Sequence, residues 1–501
     1  MRCLLGIDLG TSSCKVALLS FDGTVLAQAT RSYAVHYPKP GWAEQNPDEW
    51  WASIVKAIKY VLEQRPDAKI ACIGVDGQSW STILMDGKGN VLAPTPIWMD
   101  TRAQDECKEI AAAIGEDALF ENSGNPLQPS YTLPKILWFK RHLPSVFSKA
   151  EKILQSNSFI VYRLTGAATF DESQCYGLQI YNMKNGKLNL DMLKELSIQP
   201  DLIPQPIASH CVVGGVSKNA AQETGLLQGT PVVAGGLDAA CATLGAGVYQ
   251  SGQTQEQGGQ AGGMSICLDS YIADRRLILG RHVVPGLWLL QGGTVGGGGV
   301  LRWMKEQFCL QERMEAQQKG TSPFDEMNQR AQSIAPGCDG LLFLPYMAGE
   351  RSPIWNPRAK GVWYGLDFSK TRAHLIRACM EGVGYSLRHN LEVAIRAGAK
   401  VGKLYAMGGS ANSLVWTQIK SDITGCEIDV PSSDKATVLG AALLAGVGAG
   451  VYSGFEEAVN KTVSITRTHT PDLENASCYN NGYERYLALY EHLRPMEKMW
   501  P

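Results

Sequence analysis

The chain has 501 residues, of which 45% are hydrophobic and 19% are charged, and its formal net charge is −2. This composition predicts a globular protein with roughly two large domains or three to four small ones. It argues against nucleic acid as a partner, because neutralising phosphates requires clustered lysines and arginines. The 13 cysteines are scattered and form no CxxC pair. The sequence therefore predicts neither a zinc site nor a disulfide framework, and it favours a reducing, cytoplasmic location.

Two segments bear on targeting to membranes. The first residues, MRCLLGIDLGT, contain an aspartate and two glycines too early for a signal peptide. The longest uncharged run, ATVLGAALLAGVGAGVYSGF, is dominated by alanine and glycine. That composition predicts a buried helix with close backbone packing rather than a membrane span. We therefore expect a soluble protein that has no membrane partner.

The first half of the chain alternates strand and helix patterns. LLGIDL, KVALLSF and TVLAQAT are predicted strands, joined by the turns GTSS and FDG. The segment DEWWASIVKAIKYVLEQ has apolar residues at helical spacing, so it is a predicted helix. KIACIGVDG is a predicted buried strand, and STILMDGKGNVLAP is a predicted hairpin. The alternation is typical of an α/β protein.

The second half of the chain begins with the same kind of pattern as the first: a strand, a glycine-rich turn and a strand. TQEQGGQAGGMSICL is again an extended stretch interrupted by glycines. GKLYAMGG is a strand that ends in glycines, and the helix SLVWTQIKSDITG follows it. These parallels indicate a duplicated fold with a cleft between two domains, predicted to comprise residues 1–249 and 250–501.

The segment after the first predicted strand has the features of a phosphate-binding turn. Gly10 lets the backbone approach a phosphate, while Thr11, Ser12 and Lys15 can donate hydrogen bonds to it. Asp8 could hold a hydrated Mg²⁺. A plain hairpin turn remains the alternative. The sequence has no GxxxxGK[ST] loop and no HRD or DFG set, which excludes P-loop enzymes and protein kinases.

Two further segments, GQSWS and WMDTR, place polar and aromatic residues at strand ends, where a sugar can bind. Gln78 and Asp100 would contact sugar hydroxyls, Trp80 would stack on the sugar, and Arg102 would orient it; Ser79 is a further candidate for binding the sugar. The alternative is that the tryptophans of these segments belong to the core.

A single acid and a pair of glycines complete the candidate residues. Asp238 is the only charged residue in VVAGGLDAACATLGAG. It is either the cap of a helix or a general base in a pocket of small residues. The turn Gly408-Gly409 in YAMGGSANSLVW can pass under a planar base or a phosphate.

Together these segments resemble the FGGY carbohydrate kinase family, in the sugar kinase, Hsp70 and actin superfamily. GIDLGTSSCKV resembles the family's first phosphate loop, and SYTLPKILWFKRH resembles its first-half signature. GLLFLPYMAGERSPIWNP and GVWYGLDFSKTRAHLIRACMEG are similar to its characteristic second-half segments. YAMGGSANSLVWTQIKSDITG resembles the adenosine-binding stretch, and ATVLGAALLAGVGAG the helix behind it.

The resemblance implies two actin-like, ribonuclease H-like α/β domains with ATP and Mg²⁺ between them and a sugar deep in the cleft. It implies that Asp238 is the general base and that Asp8 faces the metal. The implied reaction is transfer of the γ-phosphate of ATP to a ketopentose, with D-xylulose the expected substrate. The residues expected to bind ATP are Asp8, Gly10, Thr11, Ser12, Lys15, Gly259, Gln260, Gly408, Gly409 and Asn412.

Three departures from the family pattern affect these expectations. Gln78-Ser79-Trp80 stands where members acting on xylulose commonly have Gln-Met-His, which predicts a narrower or more stacking-based sugar pocket. GGQAGG lacks the hydroxyls of the usual GTSG-like loop, but its backbone N–H groups can still donate, which predicts ATP binding that is retained and weakened. Lys435 stands where an acid is more usual. A kinase for another polyol, ketose or signalling sugar derivative and a non-catalytic sensor remain alternatives, and a homodimer is left open.

Overall fold

The computed structural model describes residues 1–432 and 435–499. Its strands are, in chain order, β1 (Arg2–Leu9), β2 (Ser13–Leu19), β3 (Val25–Ser32), β4 (Glu44–Gln45), β5 (Lys69–Gly77), β6 (Ile83–Met85), β7 (Thr95–Pro96), β8 (Lys152–Leu154), β9 (Phe170–Asp171), β10 (Tyr181–Asn182), β11 (Lys187–Leu188), β12 (Pro206–Ile207), β13 (Val212–Gly215), β14 (Pro231–Val233), β15 (Gly236–Leu237), β16 (Thr254–Gly258), β17 (Gly262–Leu268), β18 (Ile278–Arg281), β19 (Trp288–Thr294), β20 (Leu342–Pro345), β21 (Gly361–Tyr364), β22 (Leu404–Met407), β23 (Ile428–Pro431) and β24 (Ile465–His469).

Its α-helices are α1 (Pro47–Gln64), α2 (Gln104–Ile114), α3 (Glu116–Ser123), α4 (Thr132–His142), α5 (Pro144–Phe147), α6 (Ser156–Thr165), α7 (Leu190–Glu195), α8 (Lys218–Thr224), α9 (Asp238–Gly245), α10 (Gly298–Phe308), α11 (Leu310–Lys319), α12 (Pro323–Gln332), α13 (Arg372–Arg396), α14 (Leu414–Thr424), α15 (Ala436–Gly448), α16 (Phe455–Thr462) and α17 (Ala476–Leu493).

Two large mixed sheets share a common arrangement of strands. The first has the order β13-β14-β5-β1-β2-β3, with β15 also pairing with β5. The second has the order β18-β19-β17-β16-β22-β23-β24. In both, three neighbouring antiparallel strands (β1-β2-β3 and β16-β17-β19) lie beside a parallel neighbour of the first strand (β5 and β22), and the second sheet has β18 as an additional edge strand. The predicted α/β duplication is confirmed.

The helix α1 shows how local sequence sets an element. Asn46 caps it by accepting a hydrogen bond from the backbone N–H of Asp48, and Pro47 occupies its first turn. Both features favour a helix start, because the first N–H groups have no partner inside the helix. Its buried face, which includes Trp50, Ile54, Ile58 and Val61, follows helical spacing.

The predicted hairpin over residues 81–94 forms only in part. Its turn closes through hydrogen bonds between Asp86 and Asn90, but the second arm makes only an isolated bridge, from Met85 to Val91. The strand β6 pairs instead with β8, more than 60 residues further along the chain. A long-range partner therefore replaces the local one, which sequence periodicity alone does not reveal.

The helices α9 and α15 cross where the two halves of the chain meet. A Cβ atom on Gly440 would lie 1.9 Å from the carbonyl oxygen of Cys241, and one on Gly245 would lie 1.9 Å from that of Ala436. Gly74 of β5 makes an equally close approach to the carbonyl oxygen of Ala441. The uncharged run in the second half is thus a buried helix, as predicted, and glycines bring its backbone against the first sheet.

The first large sheet uses strands that end before residue 238, and the second uses strands that begin after residue 253. The predicted division at residues 249 and 250 falls between them and stays a prediction, because α15 packs on the first sheet. All 13 cysteines are free. None of the helices within 1–432 and 435–499 combines the length and apolar character that crossing a lipid bilayer requires.

Candidate active site

Three acidic residues meet where neighbouring strands of the first sheet end. Asp8, near the end of β1, is the register partner of Asp76 on the parallel strand β5. On the other side of β5, Gly236 of β15 pairs with Asp76, and Asp238 begins α9 two residues later. Sequence reasoning identified Asp8 and Asp238 but missed Asp76. The signal that could have found it is an acid at the end of a strand that is otherwise apolar.

Burial dominates the electrostatics of this row of acids. Asp76 is inaccessible to solvent, and within the described part of the chain neither of its carboxylate oxygens accepts a hydrogen bond. Burial, and then the negative charges of Asp8 and Asp238, hold its pKa well above the usual range. Burial also raises the pKa of Asp8, whereas Lys15 lowers it. Burial and mutual repulsion thus make it costly for the carboxylates of this row to be ionised together without a counter-ion.

Asp238 begins α9, but the capping position belongs to Leu237. One of its carboxylate oxygens accepts the backbone N–H of Ala239 at 2.6 Å, and the residue is partly exposed. Burial, and then the charge of Asp8, raise the pKa of Asp238 to about 7. A general base works best with a pKa close to the operating pH. The residue therefore makes a helix-terminal hydrogen bond and also has the electrostatics of a base.

The pKa of Asp238 predicts how activity depends on pH. The carboxylate can accept a proton only when it is ionised, so kcat/KM should fall about tenfold per pH unit below about pH 7. The profile should be measured by direct detection of the phosphorylated sugar, because coupling enzymes have pH profiles of their own. A kcat/KM that stays constant down to pH 5 would contradict a base with this pKa.

The turn between β1 and β2 contains the residues predicted to bind phosphate. The backbone N–H of Gly10 donates to the carbonyl oxygen of Ser13 at 3.1 Å. The Thr11 hydroxyl accepts the indole N–H of Trp98 at 2.9 Å, and Ser12 is exposed. The register partner of Asp8 on β2 is Lys15. These groups lie together, and their contacts to phosphate stay predictions.

A cavity of about 320 Å³ lies between the two halves of the molecule. Its lining includes Trp80, Trp98 and Tyr131 from the first half, and Ile278, Arg351 and Trp355 from the second. The ring centroids of Trp80 and Tyr131 are 4.6 Å apart. An aromatic wall of this kind can pack against the apolar face of a sugar while polar groups bind its hydroxyls. Trp80 is thus buried, as the alternative held, and also lines a cavity.

The loop that carries Trp80 is held in an unusual conformation. Trp80 has φ +54°, which is uncommon for a bulky residue and marks functional sites when the surroundings enforce it. The fully buried Lys135 of α4 donates to the carbonyl oxygens of Trp80 at 3.1 Å and Ile97 at 2.7 Å. Burial lowers the pKa of Lys135 to about 7. This lysine, which sequence reasoning left without a role, links the two segments predicted to bind the sugar.

Gln78 and Ser79 directly follow the strand β5, which carries Asp76, and precede Trp80 in the chain. The side-chain amide of Gln78 donates to Gln45 at 2.8 Å, while its oxygen is buried and accepts no hydrogen bond within the described residues. Ser79 is partly exposed. The sugar contacts predicted for both residues stay predictions.

Asp100 and Arg102 are bound to each other rather than directed at the cavity. Asp100 is inaccessible to solvent and accepts hydrogen bonds from Arg102 and from the backbone of Ala43. The side chain of Arg102 is 2% exposed, also pairs with Glu44, and stacks 3.7 Å from the ring centroid of Trp42. Thr101, between them, lines the cavity, as do Trp98 and Met99 of the same segment. The structure thus gives both residues internal partners, and their predicted contacts to a sugar stay predictions.

A second cavity, of about 410 Å³, lies in the second half of the chain. Its lining includes four residues predicted to bind ATP, namely Gly259, Gln260, Gly409 and Asn412. Gly408 lies directly behind them, with φ +85°, and a Cβ there would be 2.8 Å from the carbonyl oxygen of Gly258. Two glycine turns that are distant in sequence therefore lie against each other at this cavity.

The residues that form the other walls of this cavity were not predicted from the sequence. They come from the start of α10 (Gly298, Leu301 and Arg302), from α12 and its cap (Ser322, Phe324 and Asn328), and from Trp416 of α14. The glycine run in GGTVGGGGV, just before α10, was an available signal, because glycines at a helix start let an anion approach the N–H groups. Lys435 immediately precedes α15, and its effect on a nucleotide is unexplained.

The row formed by Asp8, Asp76 and Asp238 could bind a magnesium ion that also binds the phosphates of a nucleotide. Within residues 1–432 and 435–499, no cluster of three or more His, Cys, Asp or Glu side chains could hold a metal alone. Mg²⁺ usually keeps several waters and binds through one or two carboxylates together with substrate phosphates. The carboxylate of Asp8 and the unpartnered oxygens of Asp76 fit that mode.

Comparisons with known proteins cover the whole chain. Residues 3–245 match the model of the N-terminal domain of the FGGY family of carbohydrate kinases, and residues 276–449 match the model of its C-terminal domain. The chain is 30% identical over 503 residues to xylulose kinase of Bacillus subtilis (strain 168), covering 99% of this chain and 98% of that protein. It is 31% identical over 482 residues to gluconokinase of the same organism, covering 95% and 93%. The crystal structure of xylulose kinase from Rhodospirillum rubrum matches with a TM-score of 0.91 and 30% identity, covering 99% and 100%.

Proposed function

We propose, since this chain belongs to the FGGY family of carbohydrate kinases, that its sugar substrate is the ketopentose D-xylulose and its product D-xylulose 5-phosphate. The ATP-dependent sugar kinase activity follows from the family. The observation that supports this chemistry most directly is the position of Asp238. Its carboxylate has a pKa of about 7 and lies in a row with Asp8 and Asp76 at the strand ends.

In the proposed reaction, Asp238 accepts the proton of the sugar hydroxyl as its oxygen bonds to the γ-phosphorus. The bond from the γ-phosphorus to the bridging oxygen of ADP breaks in the same displacement. Phosphoryl transfer depends mainly on positioning and charge neutralisation, so the protein's task is to align these atoms. Mg²⁺, held through Asp8, would neutralise phosphate charge. Closure of the two halves would expel water and limit wasteful hydrolysis of ATP.

The choice of xylulose rests on the similar proteins and on the aromatic cavity. Xylulose kinases match this chain over their full length at about the same identity as gluconokinase does. The sugar pocket should therefore be tested with a panel of D-xylulose, other pentuloses, polyols, hexuloses, glycerol and gluconate, followed by ADP release. We expect the highest kcat/KM for D-xylulose. A higher kcat/KM for any other compound would refute the substrate but not the kinase activity.

One observation favours gluconate as a second candidate. Arg351 lines the aromatic cavity, and no ion pair to its side chain is found among residues 1–432 and 435–499. A buried or half-buried guanidinium pairs well with a carboxylate, which gluconate carries and xylulose lacks. Arg351→Met separates the two candidates: it should abolish phosphorylation of an acid sugar, whereas a neutral ketose should lose far less activity.

A further inference from the structure

A buried ion pair lies directly beneath the glycine turn of the nucleotide cavity. The ammonium group of Lys420, on α14, donates to a carboxylate oxygen of Glu256, on β16, at 2.7 Å. Their side chains are 2% and 4% exposed. Taking two charges out of water is costly, so a pair of this kind needs further hydrogen bonds. The second contact of the ammonium is the hydroxyl of Ser410, at 2.8 Å.

Ser410 connects this pair to the cavity. It is 4% exposed and lines the cavity together with Gly258 and Gly409. A Cβ atom on Gly258 would lie 1.5 Å from the Ser410 hydroxyl oxygen, so only glycine at position 258 leaves room for this hydroxyl. Because that oxygen accepts from Lys420, its own O–H must donate elsewhere. No acceptor for it is found within the part of the chain that the structure describes.

Ser410 supplies a hydroxyl group that the neighbouring glycine-rich loop, GGQAGG, does not have. The segment GGQAGG has no hydroxyl side chain, and Ser410 places one at the same turn from a different part of the chain. A hydroxyl that accepts from an ammonium is polarised and becomes a stronger donor. We infer that Ser410 binds a phosphate oxygen of the nucleotide, and that Lys420 and Glu256 are positioning residues that act through its hydroxyl. This inference rests on the use of ATP set out above.

Calorimetric titration of the full-length protein with ATP, ADP and adenosine tests the phosphate contact. Ser410→Ala should weaken binding of ATP and ADP about 10- to 100-fold, the usual range for a hydrogen bond to a charged group. Adenosine, which has no phosphate, should bind equally to both proteins. Ser421→Ala is the matched control, because this buried serine of α14 bonds only to the carbonyl oxygens of Cys426 and His469. It should bind all three ligands like the wild type.

A double variant tests the two positioning residues without leaving an unpaired buried charge. Glu256→Gln combined with Lys420→Met should weaken ATP binding. Adding Ser410→Ala to this double variant should lower the ATP affinity by a further factor of less than two, because Glu256 and Lys420 act through the Ser410 hydroxyl. Arg377→Met with Glu381→Gln removes another buried pair of the same half and should leave ATP affinity unchanged.

The following results would overturn the inference. Unchanged binding of ATP and ADP to Ser410→Ala would exclude a phosphate contact, and an equal loss of adenosine affinity would move the contact away from the phosphates. Losses that multiply in the triple variant would show that Lys420 and Glu256 do not act through Ser410. A wild-type protein that binds no nucleotide would refute the use of ATP as well, whereas normal ATP binding without turnover on any sugar would refute only the proposed function.

Discussion

Asp238→Asn is expected to lower kcat by about 10²- to 10⁴-fold, the contribution typical of a general base. The amide keeps the size of the side chain and can still accept the N–H of Ala239, but it cannot take up a proton. Sugar and nucleotide should therefore still bind. The measurements are single-turnover phosphorylation and calorimetric titration with each substrate.

The matched control for this variant is Asp48→Asn. Asp48 also lies in the first turn of a helix, α1, but it is exposed and lies outside the row of acids. Any effect that comes only from changing the charge at a helix start would appear in both variants. If Asp238→Asn kept a kcat within a few-fold of the wild type, Asp238 would not be the base.

Gly440→Ala is expected to destabilise the protein by about 1–3 kcal/mol or more, because the added methyl group meets backbone rather than a flexible side chain. Its Cβ would lie 1.9 Å from the carbonyl oxygen of Cys241, so α9 and α15 would have to separate. Asp238 is the first residue of α9 and should be displaced, so kcat should fall as well. Urea unfolding and steady-state kinetics measure the two effects.

Gly454→Ala provides the comparison. Nothing lies within 4 Å of a Cβ at Gly454, whose φ of 177° is extended backbone that any residue can adopt. This variant should unfold at the wild-type urea concentration and keep its kcat. If Gly440→Ala were as stable and as active as Gly454→Ala, close packing of α9 against α15 would not be what positions Asp238.

Local sequence signals predicted the framework of the site well. Runs of apolar residues with glycine turns identified β1, β2, β3 and β5, because strand periodicity and turn chemistry act over a few residues. The residues themselves pointed to Asp238 and to the turn Gly408-Gly409, and the family resemblance assigned Asp238 the role of base and added Gly259 and Gln260; the structure places both glycine turns on one cavity. The hairpin after residue 81 was predicted in full but forms only in part, since β6 finds a distant partner.

The duplicated α/β architecture and the chemical types present at the site could be predicted from the order of the residues alone. Which of those side chains are available to a substrate depends on how the chain folds. The fold placed Asp76 between Asp8 and Asp238 through strand register, and it paired Asp100 with Arg102 inside the protein. It also joined Glu256, Ser410 and Lys420 beneath one turn. The physical reason is that pairing between distant segments fixes burial and hydrogen-bond partners, and these set the charge and reach of each group.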